Sequence, residues 1–273
     1  MAIPALSIAA TDTHCHILPG LDDGPQSLDA AVEMAWLAMD DGVARVVATP
    51  HLDSWNVDAC RRAQAGVRSL QRELALSGVR LTMLSGAEMM VTPALLETPA
   101  HDRLHTLNGS RYLLIELPGG DFPLYTAEAI FALQLRGLVP ILAHPERNAV
   151  IQDDINRLAA LVERGVLTQI TARSLLDRAT RNERRCAQQL LKRGLAHLIA
   201  SDAHDTGPRG PCLSAGVRAA GRIVGQQRAE AMVTRIPDAL LSDQDVAPTA
   251  LAAPEPVRWW RGIHFLRRDG RND

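Results

Sequence analysis

The chain has 273 residues, of which 47% are hydrophobic and 22% are charged, and this composition is typical of a globular protein with a full core. Its formal net charge is −2, with 31 acidic and 29 basic residues, so no global positive field favours binding to nucleic acid or to an anionic membrane. Apolar runs are too short to span a bilayer, the first residues lack a basic leader region, and the four cysteines lack a disulfide-framework spacing, so we expect a cytoplasmic protein without a transmembrane segment.

Short apolar runs alternate with longer helical patterns along the chain, and this alternation predicts an α/β fold with a mainly parallel sheet. The predicted strands are 6–13, 44–49, 80–86, 111–117, 138–143, 167–171 and 196–200. The predicted helices, which have apolar residues at three-to-four spacing, include 28–39, 63–76, 127–135, 155–162 and 185–191. Neither a GxGxxG nor a Walker sequence is present, so these units favour a closed or nearly closed β/α barrel over an open doubly wound sheet.

The composition changes near the C-terminus, which predicts two parts, a domain of residues 1–242 and a linker with a tail of residues 243–273. The linker is rich in Ala and Pro, and the tail contains Trp259 and Trp260 together with an excess of arginine. We expect a flexible tail. Docking of the tail on a partner or on an anionic surface is the alternative.

Residue types that bind metals occur at the ends of six predicted strands. They are, in chain order, His14, His16, His51, Glu88, Glu116, His144, Asp202 and His204. Because the carboxyl ends of the strands form one face of a β/α barrel, we expect these side chains to converge. His14 and His16 are two residues apart on a strand, so both imidazoles are expected on the same side.

Taken singly, a buried histidine or carboxylate at a strand end more often serves the core or a cap than a metal. Six such strand ends on one face favour a metal site, because clustered carboxylates without cations would destabilise the fold by on the order of several kcal/mol. Imidazole and carboxylate donors without a thiolate predict zinc, manganese or iron. There are more donors than one ion can take, which indicates two or three metals with Glu88 or Glu116 as the bridge.

Two arginines follow these residues closely in the sequence. Arg147 lies three residues after His144, and Arg209 lies five residues after His204 in a loop rich in Gly and Pro. A guanidinium group matches tetrahedral phosphate, so the pair favours a phosphate ester over an amide or a neutral ring as the substrate. Either arginine alone is also compatible with an ordinary surface position.

Six motifs occur along the chain in the order DTHCHILPGLDDG, ATPH, GAE, LLIEL, AHPER and SDAH. In this order and spacing they resemble the motifs of the bacterial protein tyrosine phosphatases of capsule biosynthesis, in the polymerase and histidinol phosphatase (PHP) superfamily. The likeness extends from about residue 11 to about residue 240. It implies a distorted (β/α)7 barrel, three divalent metal ions that are usually Mn²⁺, and hydrolysis of phosphotyrosine on the tyrosine autokinase that controls polysaccharide export.

Carried over to this sequence, the resemblance implies a ligand set for each of three metal ions. The sets are His14, His16, Glu88 and Asp202 for the first ion; Glu88 as a bridge, Glu116 and His144 for the second; and Asp23, His51 and His204 for the third. Asp22 has the same chemistry as adjacent Asp23 and stays an alternative. Zn²⁺ and Fe²⁺ are the alternatives to Mn²⁺.

The resemblance also implies that Arg147 and Arg209 bind the phosphate while a metal-bridging hydroxide attacks phosphorus in line. Asp23 and His51 are the candidates to influence the proton that the leaving tyrosyl oxygen takes. Leu52 stands where relatives often carry a second basic or imidazole residue, and the tail has no counterpart in the family. These departures concern substrate contacts and assembly, and a homo-oligomer is compatible with the sequence.

Four alternative interpretations remain open. A PHP phosphatase of a small monoester such as histidinol phosphate would use the same ligands, whereas a scaffold without activity is disfavoured because every expected ligand type is present. An amidohydrolase of the common binuclear form needs a lysine carbamate, but the only lysine, Lys192, lies in an amphipathic helical pattern. Cys212 and Arg218 have the spacing of cysteine-dependent tyrosine phosphatases, although Cys212 lacks the preceding apolar strand and histidine of that group.

Overall fold

Strands alternate with helices throughout the computed structural model, which describes residues 8–52, 55–97 and 103–247. The strands of these residues are Ala10–Cys15 (β1), Val43–Ala48 (β2), His51–Leu52 (β3), Thr82–Ser85 (β4), Glu88–Met90 (β5), Tyr112–Glu116 (β6), Val139–Ala143 (β7), Leu167–Thr171 (β8) and Leu198–Ala200 (β9). The helices are Leu28–Asp40 (α1), Val57–Leu76 (α2), Thr126–Leu135 (α3), Ala149–Asp153 (α4), Asn156–Val162 (α5), Arg181–Lys192 (α6), Leu213–Val224 (α7), Gln226–Ala231 (α8) and Arg235–Leu241 (α9). Short 3-10 helices occur at Pro93–Glu97, Leu107–Gly109, Pro145–Arg147 and Ala172–Leu175.

The strand pairings are parallel and form two sheets, with the orders β1-β2-β4 and β3-β5-β6-β7-β8-β9. The expected α/β class with parallel sheets is therefore confirmed. Where β2 and β4 run on into β3 and β5, the Glu88 amide donates a hydrogen bond to the Pro50 carbonyl at 3.1 Å. On the other side of β1, Cys15 forms an isolated parallel bridge with Ala203, just beyond β9. The two sheets therefore adjoin at both places.

The strands are covered on both sides, and the apolar ones, such as β6 with the sequence YLLIE, supply much of the core. Every residue of β1, β6 and β8 is buried, as expected for parallel strands that are covered on both sides. In β6 the side chains of Leu113, Leu114 and Ile115 are wholly inaccessible. A polar residue at the end of such a strand is held at the edge of the core, and Glu116 at the end of β6 is in this position.

Some element boundaries differ from the predicted ones. The helix α2 begins at Val57, before the predicted residue 63, because the Asn56 side chain caps it by accepting a hydrogen bond from the Ala59 amide at 3.0 Å. The first strand begins at Ala10 rather than at residue 6. The strands β3 and β5 were not predicted as separate elements because they are only 2 and 3 residues long. Among the described helices, none is both long and apolar enough to cross a membrane.

Residues 243–246, which the sequence assigns to the linker, contact the start of β6. Asp243 accepts hydrogen bonds from the backbone amide and Nε of Arg111 at 2.7 and 3.0 Å. The Val246 amide donates to the Tyr112 hydroxyl at 3.1 Å. The last described residues therefore lie at the amino end of β6. The expected flexible tail beyond residue 247 lies outside the described residues.

Candidate metal centre

The predicted ligands lie together around the carboxyl ends of β1, β2, β4, β6, β7 and β9, and form what we call the ligand cluster. Its members come from β1 and the loop after it, from β3, β5 and β6, and from the residues that follow β7 and β9. They are His14, His16, Asp23, His51, Glu88, Glu116, His144, Asp202 and His204. Within the described residues, three groups of these side chains have ligand atoms close enough to hold a metal ion.

Two members of the ligand cluster have a left-handed backbone conformation. His144, directly after β7, has a φ of 32°, and Asp202, shortly after β9, has a φ of 52°. Residues with a side chain seldom adopt this region, and each such position costs on the order of 1–3 kcal/mol. Strain of this kind concentrates at functional sites, where the surrounding structure holds it.

Glu88 belongs to the most buried part of the ligand cluster. Its Oε2 lies 3.1 Å from Nε2 of His14 and 3.2 Å from Nε2 of His16. Asp202 Oδ1 lies 3.3 and 3.5 Å from the same two nitrogens. The four side chains are buried, so two imidazole nitrogens and two carboxylate oxygens surround one point, a donor set that suits a divalent cation.

Glu88 also contacts a second group of ligands. Its Oε1 lies 2.9 Å from Nε2 of His144, and Glu116 Oε2 lies 3.8 Å from that nitrogen. Nδ1 of His51 lies 3.2 Å from Glu88 Oε2 and 3.2 Å from Glu116 Oε1. Glu88 therefore lies between the two groups, where a bridging carboxylate would be needed.

Asp23 is the centre of a third group, which is more open to solvent. Its Oδ1 lies 3.2 Å from Nε2 of His204, 3.7 Å from Nε2 of His51 and 4.0 Å from Nδ1 of His16. Nδ1–H of His204 donates to the backbone carbonyl of Asp202 at 2.9 Å, which leaves Nε2 for the ligand cluster. The Asp23 side chain is 52% exposed, so this group faces the solvent side of the cluster.

Asp22 lies behind His16 rather than among the ligand atoms. Nδ1–H of His16 donates to Asp22 Oδ2 at 2.6 Å, and the His51 amide donates to the same oxygen at 3.1 Å. With Nδ1 used as a donor, Nε2 of His16 presents its lone pair to the ligand cluster. The loop needs glycine at position 24, because a Cβ there would lie 2.2 Å from the His16 carbonyl oxygen. The two adjacent aspartates thus occupy different positions, with Asp23 in the cluster and Asp22 behind it.

Sequence analysis missed other residues that hold the ligands from behind. The side-chain amide nitrogen of Gln169 lies 2.9 Å from Nδ1 of His14. Asp12 accepts hydrogen bonds from the amide of Ser201, at 2.9 Å, and from its hydroxyl. Burial raises the pKa of Asp12 to about 6 in spite of these hydrogen bonds. Asp12 could have been found as part of the DTHCH motif, whereas the only signal for Gln169 is a polar residue in a buried strand.

The electrostatics of the ligand cluster depend on the contacts between imidazoles and carboxylates. Burial alone would lower the pKa of His16, but hydrogen bonds with Asp22 and Glu88 raise it to about 10. Burial would raise the pKa of Glu88, but the histidines around it, His14 foremost, hold it well below its usual range. The carboxylate is thus kept charged, and a divalent cation would compete with protons for the same imidazoles.

Three buried atoms of the ligand cluster make no hydrogen bond of ordinary geometry with the described part of the chain, although oppositely charged groups approach them. They are Oε2 of Glu88, Oδ2 of Asp202 and Nε2 of His204. Buried polar atoms normally have a partner, and a buried carboxylate oxygen without one destabilises the fold. A divalent cation would supply that partner, and nitrogen and oxygen donors suit Mn²⁺, Zn²⁺ or Fe²⁺. The residues present therefore fit a metal centre.

Arg147 and Arg209 contact different carboxylates of the ligand cluster. Nη1 of Arg147 lies 2.6 Å from Asp202 Oδ2, and Nη1 of Arg209 donates to Asp23 Oδ2 at 2.9 Å. The arginine side chains are 26% and 38% exposed, so both remain accessible to a ligand. Two guanidinium groups beside a metal centre can bind an anion such as phosphate.

Cys212 and Arg218 do not form a phosphate-binding loop. Cys212 directly precedes α7 and Arg218 lies within that helix, so the residues between them are helical. Burial, with a further contribution from the Asp41 carboxylate, raises the pKa of the Cys212 thiol to about 11. A thiol that stays protonated at neutral pH is a poor nucleophile, so this geometry disfavours the cysteine mechanism.

Lys192 is the last residue of α6 and is exposed. The helix that connects two parallel strands runs back from their carboxyl ends to their amino ends. Lys192 therefore lies towards the end of the fold opposite to the ligand cluster, which disfavours the lysine carbamate of a binuclear amidohydrolase.

The chain is similar in sequence and in structure to bacterial tyrosine-protein phosphatases. The chain is 35% identical over 202 residues to the tyrosine-protein phosphatase YwqE of Bacillus subtilis, and the match covers 72% of this chain and 78% of YwqE. It is 27% identical over 247 residues to the tyrosine-protein phosphatase CpsB of Streptococcus pneumoniae, covering 85% of this chain and 98% of CpsB. A solved structure from a study of YwqE and CpsB, described as unique metal-dependent tyrosine phosphatases, has a TM-score of 0.79 and 30% sequence identity, and covers 86% of this chain and 96% of that chain.

The family described as "Capsular polysaccharide synthesis, CpsB/CapC" matches residues 10–242. This range contains the whole ligand cluster, Arg147 and Arg209. The resemblance that the six motifs carry is confirmed, and the chain belongs to the CpsB/CapC family of capsular polysaccharide synthesis.

Proposed function

We propose that this chain is a metal-dependent phosphatase that hydrolyses phosphotyrosine on a protein. The observation that carries the proposal is the contact of Arg147 and Arg209 with carboxylates of one ligand cluster. Metal ligands combined with two guanidinium groups favour the hydrolysis of a phosphate ester, because both stabilise charge on phosphoryl oxygens. Among phosphate esters, phosphotyrosine is favoured as the substrate because the relatives YwqE and CpsB are named tyrosine-protein phosphatases.

The proposal includes three divalent cations, with Mn²⁺ preferred and Zn²⁺ or Fe²⁺ as alternatives. The proposed ligands are His14, His16, Glu88 and Asp202 for the first ion; Glu88, Glu116 and His144 for the second; and Asp23, His51 and His204 for the third. Support comes from the three groups of ligand atoms, and for Asp202 and His144, which lie outside those groups, from their contacts with His14 and with Glu88. In those groups His16 also lies near the third site and His51 near the second, so these two histidines lie between neighbouring sites.

For the fold, we propose a distorted (β/α)7 barrel of the PHP type formed by residues 1–242, with residues 243–273 as linker and tail. If β2 with β3 and β4 with β5 are each counted as one strand, the pairings run through seven strands in chain order. The bridge from Cys15 to Ala203 returns from the last strand to the first. The carboxyl ends of barrel strands form the active-site face, which agrees with the position of the ligand cluster.

When bound, the cations supply Lewis-acid activation of water and of the phosphoryl group. Arg147 and Arg209 bind the equatorial phosphoryl oxygens, where negative charge must be stabilised in the transition state. Asp23 and His51, on the more exposed side of the ligand cluster, are the candidates that hold or move the proton for the leaving tyrosyl oxygen. Asp22 keeps the His16 imidazole in one orientation throughout.

The expected protein substrate is the tyrosine autokinase of capsule or exopolysaccharide synthesis, in agreement with the description of the family. A small phosphomonoester such as histidinol phosphate is the alternative substrate, and the names of the relatives favour the protein substrate over it. A homo-oligomer stays a prediction.

The test compares the Mn²⁺-loaded protein on a phosphotyrosyl peptide and on histidinol phosphate. We expect a higher kcat/KM on the peptide, and about a 10²- to 10³-fold lower kcat in Arg147→Gln or Arg209→Gln, because each removes a charge that acts on the phosphoryl oxygens. Arg62→Gln, an exposed change on α2, is the matched control. A higher kcat/KM on histidinol phosphate would contradict the assignment of phosphotyrosine as the substrate. Full activity in both arginine variants would contradict the assignment of Arg147 and Arg209 to phosphate binding.

A further inference from the structure

A cavity of about 180 Å³ adjoins the ligand cluster beside β6 and β7. Glu116, His144 and Arg147 line it, so it opens onto the metal centre and onto one of the proposed phosphate-binding arginines. The remaining wall comes from the last residue of β7 and from the segments that follow the two strands. That wall includes Leu117, Pro118, Gly119, Gly120, Ala143, Pro145 and Asn148.

Among the residues that the structure describes, none on the wall away from the metal centre has a charged side chain. Leu117 and Ala143 are buried, and Pro118 and Pro145 present rings without a backbone N–H. Gly119 adds no side chain, and a Cβ built there would meet no atom within 4 Å. One end of the cavity is therefore ionic, and the rest offers apolar contact.

Asn148 holds the two loops together and fixes the shape of the cavity. Its side-chain amide donates to the Asp121 carbonyl at 2.6 Å, and its Oδ1 accepts from the Ile151 amide at 3.1 Å. Asp121 in turn donates its amide to the Pro118 carbonyl at 3.0 Å. Because these polar atoms are engaged with the protein, the cavity is formed in advance and favours an apolar ligand group.

The volume restricts which group fits. An apolar cavity of about 150 Å³ accommodates benzene, whereas sites for drug-sized ligands begin near 300 Å³. At about 180 Å³ the cavity therefore matches a single six-membered ring.

Resting on the phosphatase function proposed above, we propose that this cavity binds the aromatic ring of the phosphorylated tyrosine. The phosphate lies at the ligand cluster with Arg147, and the ring packs between the loops that contain Pro118 and Pro145. The site therefore selects aryl phosphates. The short alkyl chain of phosphoserine leaves part of the cavity without contacts. Histidinol phosphate has three carbon atoms between its ester oxygen and its imidazole, so no ring lies directly beside its phosphate. We therefore expect both compounds to bind more weakly.

Binding of two compounds that cannot be hydrolysed tests this assignment. Phenylphosphonate and methylphosphonate share the anionic group and differ in the ring, and calorimetry on Mn²⁺-loaded protein gives a Kd for each. We expect the wild type to bind phenylphosphonate at least about tenfold more tightly, because the ring buries apolar surface. In Gly119→Leu, which adds a side chain at the cavity wall, the ratio should fall to about 1–2 while the Kd for methylphosphonate changes less than about twofold.

Gly207→Leu is the matched control, because within the described ranges its Cβ meets only Asp205 Oδ1, at 3.7 Å, and Gly207 lies outside the cavity lining. It should keep the wild-type ratio. A wild-type ratio near 1, an unchanged ratio in Gly119→Leu, or an equal loss of affinity for both compounds in that variant would each overturn the ring site. Failure of the loaded wild type to bind either phosphonate is a different result, which would overturn the proposed function and this inference with it.

Discussion

His16 donates a hydrogen bond from Nδ1 to the carboxylate of Asp22 at 2.6 Å. The opposite nitrogen of the ring lies 3.2 Å from Glu88 Oε2 in the centre of the ligand cluster. Asp22 therefore fixes both the tautomer and the orientation of a proposed metal ligand without being among the ligand atoms.

Replacement of Asp22 by Asn should weaken metal binding. An amide in place of the carboxylate no longer holds the His16 proton on Nδ1 with the same strength, so we expect the Kd for Mn²⁺ to rise about 10- to 100-fold. Calorimetric titration of the metal-free protein measures this change. Asp58→Asn, at a carboxylate that is 79% exposed on α2, should leave the Kd unchanged, and equal affinity in Asp22→Asn would contradict the orienting role.

Gly24→Ala should disturb the same loop by a steric route. The added Cβ would lie 2.2 Å from the His16 carbonyl oxygen, so the segment with Asp22 and Asp23 must move. We expect weaker Mn²⁺ binding together with a loss of phosphotyrosine hydrolysis. Titration with Mn²⁺ measures the first effect, and an assay on a phosphotyrosyl peptide measures the second. Gly207→Ala, in an open loop position, serves as the control. Wild-type metal affinity in Gly24→Ala would show that the close approach is unimportant.

Much of the ligand cluster could be predicted from the sequence because it depends on local spacing. His14 and His16 are two residues apart on a strand, and the strand ends follow from apolar runs that the sequence displays. The positions of Asp22 and Asp23 could not be distinguished, because they depend on how closely the loop at Gly24 approaches β1. The contact of Gln169 with His14 could not be predicted, since it joins residues that are 155 positions apart and the sequence shows only a polar residue in a buried strand.

In the fold, too, the features that depend on local sequence could be predicted and those that depend on long-range packing could not. The alternation of apolar runs and helical patterns predicted parallel α/β structure, whereas the short strands β3 and β5 depend on pairing with each other. Pairings such as His51 with Glu88 arise only after the chain has packed. The cavity beside β6 and β7 was also beyond prediction, because loop conformations set by Asn148 determine its shape.

Cys212→Ser should leave phosphotyrosine hydrolysis within about twofold of the wild type. The thiol is protonated near neutral pH, because burial raises its pKa to about 11, and Cys212 lies directly before a helix. A kcat measurement on a phosphotyrosyl peptide checks this, with Arg147→Gln as the variant that does lose activity. Loss of hydrolysis in Cys212→Ser without loss of fold would favour the cysteine mechanism instead.

Asp243 should make a pH-dependent contribution to stability at the amino end of β6. Burial alone would raise its pKa, but hydrogen bonds from Arg111 and Arg103 lower it from 3.8 to about 2. Since the pKa in the folded chain is below that in the unfolded chain, the stabilisation is present above pH 3.8 and is lost as the pH falls towards 2. The side chain is 37% exposed, so we expect a contribution of no more than about 1 kcal/mol.

Chemical denaturation of wild type and Asp243→Asn at several pH values tests that contribution. The difference in the free energy of unfolding should be largest near pH 6 and should shrink as the pH is lowered to 3. A difference that is constant over this range would contradict the assignment of the stabilisation to the Asp243 carboxylate.

The central claim is that the ligand cluster holds the metals on which phosphotyrosine hydrolysis depends. The most direct measurement adds Mn²⁺ in steps to chelator-treated protein while bound metal per chain and hydrolysis of a phosphotyrosyl peptide are followed together. We predict no activity in the metal-free protein and a return of activity as the bound metal approaches three ions per chain. Full activity in metal-free protein would contradict the account.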